Sequence, residues 1–267
     1  MKPRGPALRS GRKSAFVASA DAAARANDKF RGFPPACFRF LRDLAENNDR
    51  NWFEAHRDIF ETSVLAPSHA FVNALGRAMR PNYPTVVFDP AVNGTGSMFR
   101  IARDVRFSKD KSPYKTNLGF RFWLSEEARA AKRVGLYVNV AATGVTVYGG
   151  AHGLEAHETA EFRNHLLRGK NGVDLQRILD RLGALGFGRH GDALQRVPAG
   201  FPKDHPQADL ARYKDLMAVS PTIDVSVAGT PALIRACADF AKSMKPLNDW
   251  FQSVPSSGDM IKFRGQV

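Results

Sequence analysis

Between Arg100 and Arg121 the chain sets seven basic side chains (Arg100, Arg103, Arg106, Lys109, Lys111, Lys115 and Arg121) against two acids, Asp104 and Asp110. A guanidinium offers a planar fork of donors that matches a carboxylate or a phosphate, and an ammonium adds a compact point charge. Two carboxylates cannot neutralise this excess, so the run points to an anionic ligand. Asp104 and Tyr114 are the groups within it suited to exchange a proton, which makes them the candidate catalytic residues.

The elements around the run decide where these groups point. Side chains alternate across a strand, so each apolar–polar alternation splits into two faces. Alternation over 118–124, 134–140 and 145–148 predicts strands, with Ala142-Thr143-Gly144 as a hairpin turn. One face carries Leu118, Phe120, Phe122, Leu124, Leu136, Val138, Val140, Val145 and Val147, and is expected to lie under helices. The other carries Arg121, Trp123, Tyr137, Asn139, Thr146 and Tyr148. A further strand over 98–107 is expected to add Arg100, Asp104 and Arg106 to that polar face and Phe99, Ile101, Val105 and Phe107 to the core. Arg103 then points coreward, which requires a buried partner or a bulge. Pro113 stiffens the following loop and presents Lys111, Tyr114 and Lys115 at the end of the sheet. The expected ligand-binding set is therefore Arg100, Arg103, Arg106, Lys111, Lys115, Arg121, Trp123, Tyr137 and Asn139. A bland alternative is a solvated sheet face whose charges pair with one another.

Helical periodicity flanks this block. It predicts a helix from Pro34-Pro35 to Asn47-Asn48, a second from an Asp49 cap to about Val64, and a third opened by Pro67. A short strand at Thr85–Phe88 follows. After the sheet come helices over 156–167, 175–182, 210–217 and 231–253, with one short strand expected within 183–206. This order predicts an α+β fold: a central, mainly antiparallel sheet of about five strands, with N-terminal and C-terminal helices packed on one face. The expected organisation is a flexible basic arm over 1–29, a single domain over 30–255 and a C-terminal tail over 256–267. The arm is rich in Ala, Ser, Arg and Pro and lacks the apolar run of a secretory signal.

At 267 residues with a net charge of +13, the chain is large enough for a full core and basic enough to attract polyanions. No stretch approaches the roughly 20 apolar residues of a membrane span, so no membrane association is expected. Two cysteines, Cys37 and Cys237, suit a reducing cytoplasm rather than a disulfide framework.

The run Arg100-Ile-Ala-Arg103-Asp104-Val-Arg106-Phe107-Ser-Lys-Asp-Lys111-Ser-Pro113-Tyr114-Lys115 follows the pattern R-x-x-R-D-x-R-F-x-x-x-K-x-P-Y-K throughout. It resembles the signature of the family known as domain of unknown function 2461. Asn47-Asn48 with Trp52-Phe53, Gly149-Gly150, and the stretch from Arg196 to Pro206 extend the resemblance to about residues 30–255. The resemblance implies a family and no activity.

Other chemistry is thinly supported. His157, Glu161 and His165 recur at i, i+4, i+8 near His152, but the zinc-binding H-E-x-x-H is absent and the wet side of an amphipathic helix explains them. Asp204-His205-Pro206 reads as a structured turn, with a general acid/base as the alternative. Gly94-Thr95-Gly96 lacks the rest of a dinucleotide fingerprint, and no cofactor is called for. Three functions stay open. The first is a protein, enzymatic or not, for an anionic small molecule bearing phosphate or carboxylate. The others are a nucleic-acid-binding module and a structural domain with a salt-bridged motif.

Overall fold

Pro35 stands in the first turn of α1 (Pro35–Glu46), where a missing N–H costs nothing, and Cys37, Phe40, Leu41 and Leu44 form its buried stripe. The computed structural model describes residues 29–92, 96–131 and 134–255. The expected basic arm, apart from Lys29, and the expected tail after Pro255 lie outside them. Asp49 caps α2 (Arg50–Ala55), accepting the N–H groups of Asn51 (2.8 Å) and Trp52 (2.9 Å), an arrangement worth about 1 kcal/mol.

The expected break between the second and third helices is absent. After the short α3 (Arg57–Ile59) the chain runs through a π-helical turn, Phe60–Leu65, directly into α4 (Ala66–Met79). The N–H of Ala66 donates to the carbonyl of Glu61, five residues back. Pro67 has no N–H and its ring crowds the preceding turn, so a wider turn at this point lets the helix continue.

Five antiparallel strands follow: β1 (Asn117–Trp123), β2 (Val134–Ala141), β3 (Gly144–Ala151), β4 (Gly188–His190) and β5 (Leu216–Val219), in the order β1-β2-β3-β5-β4. The remaining helices are α5 (Glu126–Ala131), α6 (Ala156–Leu167), α7 (Asn171–Ala184), α8 (Val225–Ala228) and α9 (Ala232–Gln252). The register sets Leu118 opposite Val140, Phe120 opposite Val138 and Phe122 opposite Leu136, with Val138 opposite Val147. All of these are buried. The N-terminal helices dock through Phe71, whose ring meets Phe120 at 5.0 Å and Phe33 at 5.4 Å. α9 covers β2 and β3 and packs against α4 and α7. Each fully buried Phe or Leu contributes about 1.5–3 kcal/mol.

Three expected elements differ. Thr85–Phe88 forms a single bridge, Val87 to Trp123, and no strand. Residues 210–217 are a 3-10 turn at Leu210–Arg212 followed by β5, in which Leu216 and Ala218 face the core. Four residues are too few to display a period, and pairing with β3 decides their conformation. The third difference, over 98–107, reshapes the site and is treated below. Among the described residues, no helix is long and apolar enough to cross a membrane.

Cys37 and Cys237 are both free and fully buried. Burial pushes the Cys37 thiol up to about 12 and raises Cys237 further. At pH 8 neither holds an appreciable thiolate, the reactive form. A disulfide-exchange reagent such as Ellman's is therefore expected to label neither thiol in the native protein and both in denaturant; rapid native labelling would contradict this packing.

Candidate functional site

Opposite its helix-covered side, the sheet presents the row Arg121–Tyr137–Tyr148 in direct cross-strand register, and beside it the row Trp123–Gly135–Gly150–Met217–His190. Asn139 sits opposite Gly119 and Thr146 on the same face. The parity expected for β1 to β3 therefore holds.

The segment from Met98 to Phe107 does not follow its expected parity. It touches the sheet edge through two isolated bridges, Met98 to Phe120 and Ala102 to Tyr114. Four backbone bonds hold it there: Phe99 N–H to Gly119 (3.0 Å), Arg121 N–H to Ser97 (2.7 Å), Arg103 N–H to Pro113 (2.8 Å) and Lys115 N–H to Ile101 (2.8 Å). Met98 enters the core, and a bend at Ile101 breaks the alternation. Phe99, expected in the core, instead lies 40% exposed on the polar side, edge-on to Tyr137 at 5.8 Å. Beyond Arg103 the pairing ends, so Asp104 and Arg106 leave the sheet face altogether.

Their charges are satisfied within the loop. Arg106 donates to Asp104 through Nε (2.9 Å) and Nη2 (2.7 Å). Arg103 pairs with Asp110, whose Oδ1 also accepts the N–H (2.9 Å) and hydroxyl (2.7 Å) of Ser112. The Ser112 bonds first, and Arg103 with them, hold the Asp110 carboxyl far below the usual carboxylate range. Lys111 donates to the carbonyl of Val105 (3.0 Å).

Lys115 and Arg121 are bound differently. The Lys115 ammonium stands 5.0 Å from the Phe99 ring centre, and the Arg121 guanidinium lies 5.3 Å from Phe99 and 4.7 Å from Trp123. Such contacts contribute about 0.5–2 kcal/mol each without cancelling charge. Among the described residues no ion pair joins Lys115, Arg121 or the exposed Arg100 to an acid. Burial pulls both the Lys115 and Arg121 pKa values down.

Lys115 owes its place to Tyr114. Asn48, just before α2, donates its side-chain amide to the Tyr114 carbonyl (3.0 Å) and accepts the Tyr114 N–H (3.0 Å). The Tyr114 ring stacks on Phe53 at 4.1 Å. Tyr114 thus anchors the loop to α2, and it lines neither of the two hollows around the motif.

The inner hollow, about 580 Å³, is lined by Lys115, Arg121, Trp123, Tyr137 and Asn139 of the expected set, together with Phe99, Tyr148, His152 and His190. The outer one, about 1130 Å³, lies between the edge segment and α5, and gathers Arg100, Arg103, Asp104 and Arg106. Phe99, Lys115, Arg121 and Trp123 line both and form the wall between them. Within the inner hollow, Asn117 donates to Asn139 Oδ1 (2.6 Å), and burial raises the Tyr137 phenol pKa.

His152 and His190 were not expected in this hollow. The period-two continuation of Tyr148 through Gly150 to His152 carried the signal for the first; His190 arrives only through the pairing of β4 with β5. The two ends of the suggested histidine set diverge. His157 is exposed beside Glu155, while His165 is buried against Trp250 and within 3.2 Å of the Ser253 hydroxyl. His205 serves its turn, its Nδ1 accepting the Gln207 N–H at 3.2 Å.

The five-stranded antiparallel sheet with its covering helices places the protein in the α+β class. The family model described as "Conserved hypothetical protein (DUF2461)" matches residues 36–250, and the chain belongs to that family. A comparison with curated proteins finds no match.

Two outcomes follow from the anchoring. Asn48→Ala removes both bonds to Tyr114 and is expected to cost about 1–3 kcal/mol in urea unfolding. Lys115 has a lowered pKa in the folded state, so the unfolded chain keeps its proton to higher pH. Stability from this group therefore rises with pH between the lowered value and the ordinary lysine value near ~10.4. Melting curves of Lys115→Met are expected to lack that rise and to match or exceed the parent at pH 7; a clear loss at pH 7 would show that Lys115 supports the fold.

Proposed function

We propose that the open face of the sheet binds an anionic small molecule bearing phosphate or carboxylate, with Lys115 and Arg121 as the anion-holding groups. One observation carries the reading: these two partly buried cations face a common hollow and have no carboxylate partner among the described residues. Desolvating a charge without pairing it is unfavourable, so positions that do so are candidates for function. Arg103 and Arg106 provide the contrast within one motif, since each has its own aspartate.

A second reading, a single-stranded nucleic acid, draws on the adjoining outer hollow and its Arg100, which has no ion pair among the described residues. A strand crossing the Phe99–Arg121 wall would place phosphates on one side and bases on the other.

Calorimetric titration with inorganic pyrophosphate at low salt tests the first reading. Binding is expected, weakened at least about tenfold (about 1.4 kcal/mol) by Lys115→Met or Arg121→Gln, with the melting temperature nearly kept. Undetectable binding would end it. Titration with a thymidine hexanucleotide at several salt concentrations separates the two readings. Each phosphate contact adds about −0.7 to the log–log slope for a single strand, so a slope of several units favours the strand.

A further inference from the structure

Two glycines line the floor of the inner hollow. Gly135 on β2 and Gly150 on β3 are directly opposite in register, between Trp123 on β1 and Met217 on β5, and both line the hollow. At Gly150 the backbone has φ +129°, and a Cβ would come within 2.4 Å of the Leu216 carbonyl oxygen; at Gly135 a Cβ would meet the Phe122 carbonyl oxygen at 2.9 Å. Glycine in a central strand weakens it and marks a place of close approach. Two of them side by side leave a strip of bare backbone. Strands lie about 4.8 Å apart, so Trp123 and Met217 stand roughly 14 Å apart across it.

This floor has aromatic sides. Tyr137 and Tyr148 occupy the next row, 5.8 Å apart; the hydroxyl end of Tyr137 leans over Gly119, and Tyr148 meets the His190 ring at 5.4 Å. At the far end stands His152, its Nδ1 3.7 Å from Asp215 Oδ2. Asp215 is itself fixed by the N–H groups of Gly153 (2.7 Å) and Leu154 (3.2 Å). No partner engages His152 Nε2 among the described residues. Lys115 and Arg121 form the opposite rim.

We infer that the hollow receives a free nucleoside monophosphate: a flat heteroaromatic ring over the glycine floor beside Tyr148 and His190, joined to a phosphate on Lys115 and Arg121. This rests on the anion-site reading and extends it to the remainder of the ligand. A side-chain-free floor suits a planar group, and stacking on aromatic rings contributes about 1–3 kcal/mol per base. Asn139, His152 and His190 supply donors and acceptors for ring edges and sugar hydroxyls. The volume of about 580 Å³ falls within the range of small-molecule sites.

Calorimetry with four probes on the full chain tests this: adenosine monophosphate, ribose 5-phosphate, inorganic pyrophosphate and a thymidine hexanucleotide. Adenosine monophosphate is expected to bind at least about tenfold more tightly than ribose 5-phosphate. Tyr148→Ala is expected to erase most of that ratio while pyrophosphate affinity stays unchanged, which also shows that the variant is folded. Met217→Trp, which fills the floor, is expected to exclude the nucleotide and spare pyrophosphate. If both sugar phosphates bind equally, the ring placement is wrong and the anion site stands. If none of the four binds, both fail. A hexanucleotide that binds far more tightly than the mononucleotide, with a steep salt slope, overturns the free nucleotide in favour of a strand.

Discussion

The site depends on a contact made 66 residues apart in the chain: the side-chain amide of Asn48 pairing with both backbone groups of Tyr114. An amide side chain here does what a neighbouring strand would do, satisfying a donor and an acceptor at once. The Phe53–Tyr114 stack adds apolar contact to the same junction. With Tyr114 fixed, the backbone of Lys115 is held within reach of the Phe99 ring. The N-terminal helices, remote from the polar face of the sheet, thereby set the position of one of its two cations. The presence of Asn-Asn and Trp-Phe beside the basic motif in the family resemblance acquires a physical meaning: they are the two halves of one joint.

Charge within the motif is divided by location. Where the chain leaves the sheet, at Asp104–Ser112, every described basic group except Lys109 finds an aspartate or a carbonyl close by in sequence. Where it lies on the sheet, Lys115 and Arg121 find rings instead. Ring faces hold a cation in place without consuming its charge, so the charge of these two groups remains at the wall between the two hollows. The loop charges stabilise the loop; the sheet charges remain available.

Much of this was legible in local periodicity. The core faces of β1, β2 and β3 and the helices at Pro35–Glu46, Ala156–Leu167 and Ala232–Gln252 follow directly from spacing. So does the shared face of Arg121, Trp123, Tyr137 and Asn139. Residues 98–107 defeated the same logic, because their alternation is interrupted by a bend at Ile101 that only the anchoring bonds to β1 explain. Hence Phe99, expected in the core, lies on the polar side, and Arg106, expected on that face, lies exposed in the loop. β5 and His190 depend on pairings between distant segments, and four-residue or three-residue strands carry no period of their own. Lys111 and Tyr114, named for the site by their motif, serve the loop and the joint.

The run from Ser97 to Arg103 has one more consequence. By hydrogen bonding to Gly119 and Arg121 it occupies the middle of the margin of β1, while Val87 pairs with Trp123. At the other margin, β4 is only three residues long and exposed. Unoccupied margins invite other chains to add strands and seed aggregation. Loss of this run through mutation would therefore do more than alter the hollows: it would open the backbone of β1 around Gly119 and Arg121 to pairing with another chain.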